Sequence, residues 1–113
     1  MHIANFLIKR GADNIRTKTK YKFWLEYNGC PLIGEGRYRL LKEIEITKSL
    51  KKSADAVGIS YKTAYNYIKR IEQRLGRKII ESSKGGKDAG GSTKLTHIGK
   101  MLTTRYEKAM ERQ

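Results

Sequence analysis

Three features of the sequence predict an α+β fold. Residues 21–27 alternate aromatic and polar side chains up to Asn28-Gly29, the pattern of a strand entering a hairpin. Residues 49–75 read as two helices joined by a tight turn at Gly58. Beyond them, two strand-like runs flank residues 83–92, which hold four glycines in ten positions, and a long amphipathic helix follows. Together these predict a winged helix-turn-helix with an N-terminal β-hairpin and a long C-terminal helix over residues 21–113. Residues 1–20 precede it as a basic N-terminal extension.

The extension opens with Ile3, Phe6, Leu7 and Ile8 and then turns basic with Lys9, Arg10, Arg16 and Lys18. A short packed element, an arm that touches phosphates and a segment without a role all remain open. In the first strand, Tyr21, Phe23, Leu25 and Tyr27 share one side, opposite Lys22, Trp24 and Glu26. Leu32-Ile33 returns as its partner. Gly34-Glu35-Gly36 then opens a helix over residues 37–47, with Leu40, Leu41 and Ile44 facing inward.

Ala54 is small where two helices must approach closely, and Gly58 suits a left-handed turn residue. Ser60 is placed to cap the next helix. Its Ala64, Ile68, Ile71 and Leu75 recur at spacings of 4, 3 and 4, a single buried stripe. Gly76 ends it. Residues 78–82 and 93–95 read as the two strands of the wing. Thr96 caps a last helix that runs towards Glu111, with Ile98, Met101, Leu102, Tyr106, Ala109 and Met110 on one apolar face.

Twenty-five Lys and Arg against eleven Asp and Glu give a net charge of +14 in 113 residues, and a pI near 10.0. Such an excess opposes compactness unless a polyanion is the partner, which favours nucleic acid. No apolar run approaches the roughly 18–20 residues of a membrane span. The stretch from Ile3 to Ile8 is too short, and lacks the preceding basic residues, for a secretory signal. Cys30, the sole cysteine, excludes an internal disulfide and fits a reducing compartment, most simply the cytoplasm.

Catalysis and cofactor binding find no candidates. His2 and His97 lack cysteine or carboxylate neighbours at metal-ligand spacing. Gly85 and Gly90 have the outer spacing of a phosphate-binding loop, but Gly91 stands where the essential lysine belongs and a strand follows instead of a helix. Gly34-x-Gly36 is too short for a dinucleotide fingerprint. With no paired carboxylates and no triad, the chain reads as a non-enzyme without metal or cofactor.

The second helix of the pair carries Lys62, Asn66, Lys69, Arg70, Gln73 and Arg74 on its outer faces, with Glu72 as its one acid. It reads as a recognition helix, residues 60–75, lying in the major groove of double-stranded DNA. Base-edge contacts are expected from its first turns: Ser60, Tyr61, Lys62, Thr63, Tyr65 and Asn66. Phosphate contacts are expected from Lys69, Arg70 and the wing, with Lys84, Gly85, Gly86, Lys87 and Lys94. Tyr67 fits either groove or core. The function expected is that of a sequence-specific transcription regulator. The alternatives are a winged-helix protein-interaction module, which would want an acidic or apolar helix face, and an RNA-binding protein, which would stack bases on exposed sheet aromatics such as Tyr21, Phe23, Trp24 and Tyr27.

Several motifs resemble the N-terminal DNA-binding domain of the molybdate-dependent transcriptional regulator (ModE) family: Phe23-Trp24-Leu25-Glu26, Leu32-Ile33-Gly34-Glu35-Gly36-Arg37, Gly58-Ile59-Ser60-Tyr61-Lys62-Thr63-Ala64 and the glycine pairs 85–86 and 90–91. Leu95-Thr96-x-x-Gly99 is also similar to the LysR-type relatives of that family. The resemblance covers about residues 21–112. It implies a homodimer to which the helix at 37–47 and the last helix contribute, and it implies that the recognition helix and wing touch DNA. Regulators of this family carry a C-terminal molybdate-binding portion, and this chain stops where that portion would begin, so no molybdate site is expected in it.

Overall fold

The computed structural model describes residues 15–83 and 92–112. The glycine-rich stretch 84–91, with Lys84, Gly85, Gly86 and Lys87, lies outside the described residues, as does the apolar patch of the N-terminal extension. The elements are β1 (Leu25–Tyr27), β2 (Cys30–Ile33), α1 (Glu35–Thr47), α2 (Leu50–Val57), α3 (Tyr61–Leu75), β3 (Ile80–Ser83), β4 (Ser92–Leu95) and α4 (His97–Glu111). The chain is thus α+β, with four helices and two antiparallel two-stranded sheets among the described residues. No described helix is long and apolar enough to cross a membrane.

Asn28 and Gly29 both take positive φ, 52° and 79°, as the two-residue hairpin turn requires. The first strand is shorter than its alternation predicts. Only Leu25–Tyr27 pair with β2, and the register slips between Leu25 and Glu26. The partner strand ends at Ile33, because Gly34 already caps α1, so residues 21–24 have no ladder to join. Phe23 and Leu25 pack on the core, whereas Tyr21, Trp24 and Tyr27 stay exposed. Leu32 and Ile33 are both buried although successive strand residues face opposite ways. Contacts of β2 with both α1 and α3 account for that.

The two-helix unit forms as its residues dictate. Ser49 Oγ accepts the Lys52 N–H at the start of α2. At its end, Gly58 takes φ 81°, its N–H bonds to Asp55 O, and Ile59 N–H reaches Ala54 O, the double closure of a Schellman motif. Ser60 Oγ accepts the Thr63 N–H to start α3, and Gly76 closes it at φ 68°. Ala64, Ile68 and Ile71 are buried, with Leu75 half-buried at the rim. β4 joins this unit through the Thr93 N–H, which donates to Lys48 O at 2.9 Å.

The inward face of α4 differs from the one its apolar residues predict. Gly99, Leu102, Thr103 and Tyr106 are buried, while Ile98 is only partly buried and Met110 is exposed. The cause is the close approach at Gly99. A Cβ there would lie 2.4 Å from the Ile79 carbonyl oxygen, so the glycine lets α4 press on the backbone before β3 and turns the helix accordingly. Further along, Tyr106 stacks between Phe23 and Tyr38, with ring centroids 4.7 and 4.6 Å away. The Tyr38 hydroxyl donates to Glu107 at 2.6 Å, and Lys42 pairs with the same carboxylate at 3.0 Å. These partners hold the Glu107 carboxyl below its usual range. Burial and that same carboxylate push the Tyr38 phenol up to about 12.

Two glycines therefore respond oppositely to the same change. Gly99→Ala forces a methyl against a backbone oxygen and should cost about 1–3 kcal/mol. Gly36, helical with nothing within 4 Å of a Cβ, should gain about 0.5–1 kcal/mol as alanine. Urea unfolding of both variants checks this. Two changes of the same sign would refute the close approach.

Candidate nucleic-acid interface

The buried stripe of α3 fixes which residues its outer surface shows. Tyr61, Lys62, Tyr65, Asn66, Arg70, Gln73 and Arg74 are exposed, and Thr63, Tyr67, Lys69 and Glu72 are partly buried. The six expected base-edge residues thus lie together on the N-cap and first two turns of one helix. Two of them serve the cap as well: the Ser60 hydroxyl donates to Thr63 Oγ1 at 2.9 Å besides accepting the Thr63 N–H. Tyr61 and Tyr65 stand out from the surface at 54% and 43% exposure. Their rings stack at 6.3 Å, an apolar edge with two hydroxyls at the front of the helix.

Lys69 is more tethered than an unattached phosphate contact would be. Its ammonium lies 5.4 Å from the Tyr65 ring centroid and 3.6 Å from Glu72 Oε1. Glu72 has a structural task that its place among basic residues did not reveal. Its other oxygen accepts the backbone N–H groups of Ile79 and Ile80 at 2.9 and 3.4 Å. One carboxylate thereby ties α3 to the start of β3 and sets where the β3–β4 hairpin leaves the body. Lys94 is exposed on β4, opposite Glu81 in the ladder.

On the other side of α3, Tyr67 turns towards α1, and the Arg37 guanidinium lies over its ring at 4.6 Å. Arg74 donates to the Pro31 carbonyl of β2. From the sequence Tyr67 fits either groove or core, Arg74 counts only among the outer-face residues of the helix, and Arg37 has no contact assigned to it. No local pattern could have placed them together, because they meet only when β2 and α1 pack beside α3.

The aromatics that would support RNA stacking are divided. Phe23 is spent in the Tyr106 stack, Trp24 donates to Glu26 at 3.0 Å, and only Tyr27 lies on a strand. An open concavity of about 700 Å³, lined in part by Phe23, Trp24, Tyr38, Tyr106 and Met110, lies where this segment meets α1 and α4. Cys30 is exposed and free. Among the described residues no group of three or more His, Cys, Asp or Glu could hold a metal.

No family model matches the chain. Over 78 residues it is 32% identical to the molybdenum-pterin-binding protein MopA of Rhodobacter capsulatus, covering 69% of this chain and 29% of that protein. Over 71 residues it is 37% identical to the DNA-binding transcriptional dual regulator ModE of Escherichia coli, covering 63% and 27%. The transcriptional regulator ModE of Haemophilus influenzae is 33% identical over 66 residues, covering 58% and 26%. The chain therefore spans little more than a quarter of the length of these relatives. Among solved structures, a full-length OxyR variant from Pseudomonas aeruginosa superposes with a TM-score of 0.51 at 18% identity, over 68% of this chain and 24% of that one. This is a likeness of fold.

The Glu72 bridge can be broken on its own. Glu72→Ala leaves two backbone donors without their acceptor and should cost about 1–3 kcal/mol. Glu72→Gln keeps an acceptor oxygen and should cost less. Chemical denaturation of the two variants compares them, and equal losses would mean that the charge alone matters.

Proposed function

We propose that this chain is a winged helix-turn-helix module that binds double-stranded DNA within a transcription regulator of the ModE family. The observation that carries the reading is the outer surface of α3, where hydroxyls, amides and cations are exposed together on a helix held from behind by an apolar stripe. The names of the sequence relatives and the fold shared with the OxyR variant support it. In this reading α3 is the recognition helix in the major groove. Ser60, Tyr61, Lys62, Thr63, Tyr65 and Asn66 read base edges, which carry the sequence information. Lys69, Arg70, Lys94 and the loop residues Lys84, Gly85, Gly86 and Lys87 contact phosphates, which fix position without naming a sequence. The β3–β4 hairpin is the wing.

The protein acts in the cytoplasm, without catalysis, as a homodimer joined through α1 and α4. The exposed Ile46 and Met110 and the apolar concavity beside those helices support that placement. No molybdate site is proposed within these residues.

Duplexes selected from a random pool supply the cognate site. On it, Tyr61→Ala or Lys62→Ala should lose roughly 1–3 kcal/mol per base contact while changing non-specific affinity less. Lys87→Ala should weaken cognate and scrambled duplexes about equally. Binding curves at several salt concentrations separate the two effects, and equal losses on both duplexes for all variants would overturn the division of roles. Assembly is tested apart from this. Sedimentation at micromolar concentration should give a dimer, and a strict monomer with and without duplex would exclude it.

A further inference from the structure

We infer that Arg37 and Arg74 join Arg70, already given to phosphates above, in a phosphate-binding site of its own on the flank of α3 that faces away from the β3–β4 hairpin, so that a duplex is held from both sides of the helix. The inference rests on the DNA-binding reading above. With about 100° of rotation per residue, Tyr67, Arg70 and Arg74 fall along one side of the buried stripe. Tyr61, Tyr65 and Glu72 fall along the other, where Glu72 meets the residues that open β3. The two flanks are distinct surfaces of one helix.

The arginine flank is assembled from three elements. Arg37 comes from α1, lies over Tyr67 of α3, and donates to the Leu32 carbonyl of β2 at 3.4 Å. Arg74 donates to the neighbouring Pro31 carbonyl. Arg70 is exposed one helical turn before it. Each tether uses part of a guanidinium that has five N–H donors in a planar fork, so donors remain beyond the carbonyl each one holds. The N-terminal hairpin thereby acts as a buttress that aims two arginines.

No carboxylate among the described residues relieves their mutual repulsion. Among the described residues the ion pairs are made by Lys42 and Lys69, and none of these three arginines lies within 4 Å of a carboxylate. Burial above all lowers the Arg37 pKa. Tyr67 opposes that fall, whereas the fields of Arg70 and Arg74 deepen it. Like charges gathered without a counter-ion are costly in isolation and are relieved by an anion. A guanidinium fork suits two phosphate oxygens at once. The phosphates that border a major groove lie on either side of a helix seated in it, and the arginines occupy one of those sides.

The test uses the full chain and a duplex selected by it. Arg70→Gln and Arg74→Gln should each lower the slope of log affinity against log salt by about 0.9, on cognate and scrambled duplexes alike, and Arg74→Lys should keep the slope. Single methylphosphonate substitutions along the duplex then locate the contacts. The glutamine variants should lose sensitivity at phosphates to which Lys94→Gln stays sensitive. Inorganic phosphate at matched ionic strength should not displace the duplex. Circular dichroism melts verify folding, and the exposed Arg70 gives a variant that disturbs no packing. Unchanged slopes, loss of sensitivity at the same phosphates as Lys94→Gln, or displacement by inorganic phosphate would each overturn the site. Failure of the unmodified protein to bind any duplex would instead overturn the DNA-binding reading on which it rests.

Discussion

The stripe of Ala64, Ile68 and Ile71 fixes the rotation of α3 about its axis, and the placement of the exposed groups follows from it. Ala64 is wholly buried, and each isoleucine is 1% exposed. Burial of each isoleucine is worth about 1.5–3 kcal/mol. A slip of one residue would turn the helix by about 100° and carry Tyr65, Lys69 and Glu72 towards the core. The cost of stripping water from the Lys69 ammonium and the Glu72 carboxylate, several kcal/mol per ion even when they are paired, opposes that. The two flanks, one bound to β3 through Glu72 and the other to β2 through Arg74, exist only at the rotation this stripe selects.

The acids show how the charge of the chain is organised. With eleven acids against twenty-five basic residues, two carboxylates act as struts between elements. Glu72 joins α3 to β3, and Glu107 joins α4 to Tyr38 and Lys42 of α1. Negative charge that would blunt the outward cationic surface is thereby drawn into the joints between elements. The basic face of α3 is left with Glu72 as its only acid, and that one is turned aside.

Much of this was legible in the sequence because the signals are local. Gly58, Ser60, Gly76 and Thr96 mark helix ends by backbone geometry or by one side-chain hydrogen bond, and each lies where its chemistry demands. The three inward residues of α1 were legible from spacing alone. What escaped depends on partners far along the chain. Residues 21–24 alternate like a strand but have no partner strand, and periodicity carries no information about that. The face of α4 is set by the Ile79 carbonyl over Gly99, not by its own apolar count. For the candidate interface, the exposed first turns of α3 were foreseeable. The gathering of Arg37 with Arg74 was not, because it comes from β2 and α1 arriving at the same flank.

The bond from the Thr93 N–H to the Lys48 carbonyl has a consequence for how the molecule behaves in a crowd. It occupies the side of β4 that faces away from β3, so that strand offers little backbone to a stranger. Among the described residues β3 pairs with β4 alone, and beyond the Ile80 N–H, which Glu72 accepts, its far edge is available as a template for another strand. That edge is four residues long, and after Ile80 it reads Glu-Ser-Ser. A short edge bearing a charge and hydroxyls is a poor seed for sheet extension. The hairpin is therefore guarded on one side by its own scaffold and on the other by its composition, which disfavours runaway edge-to-edge stacking between copies.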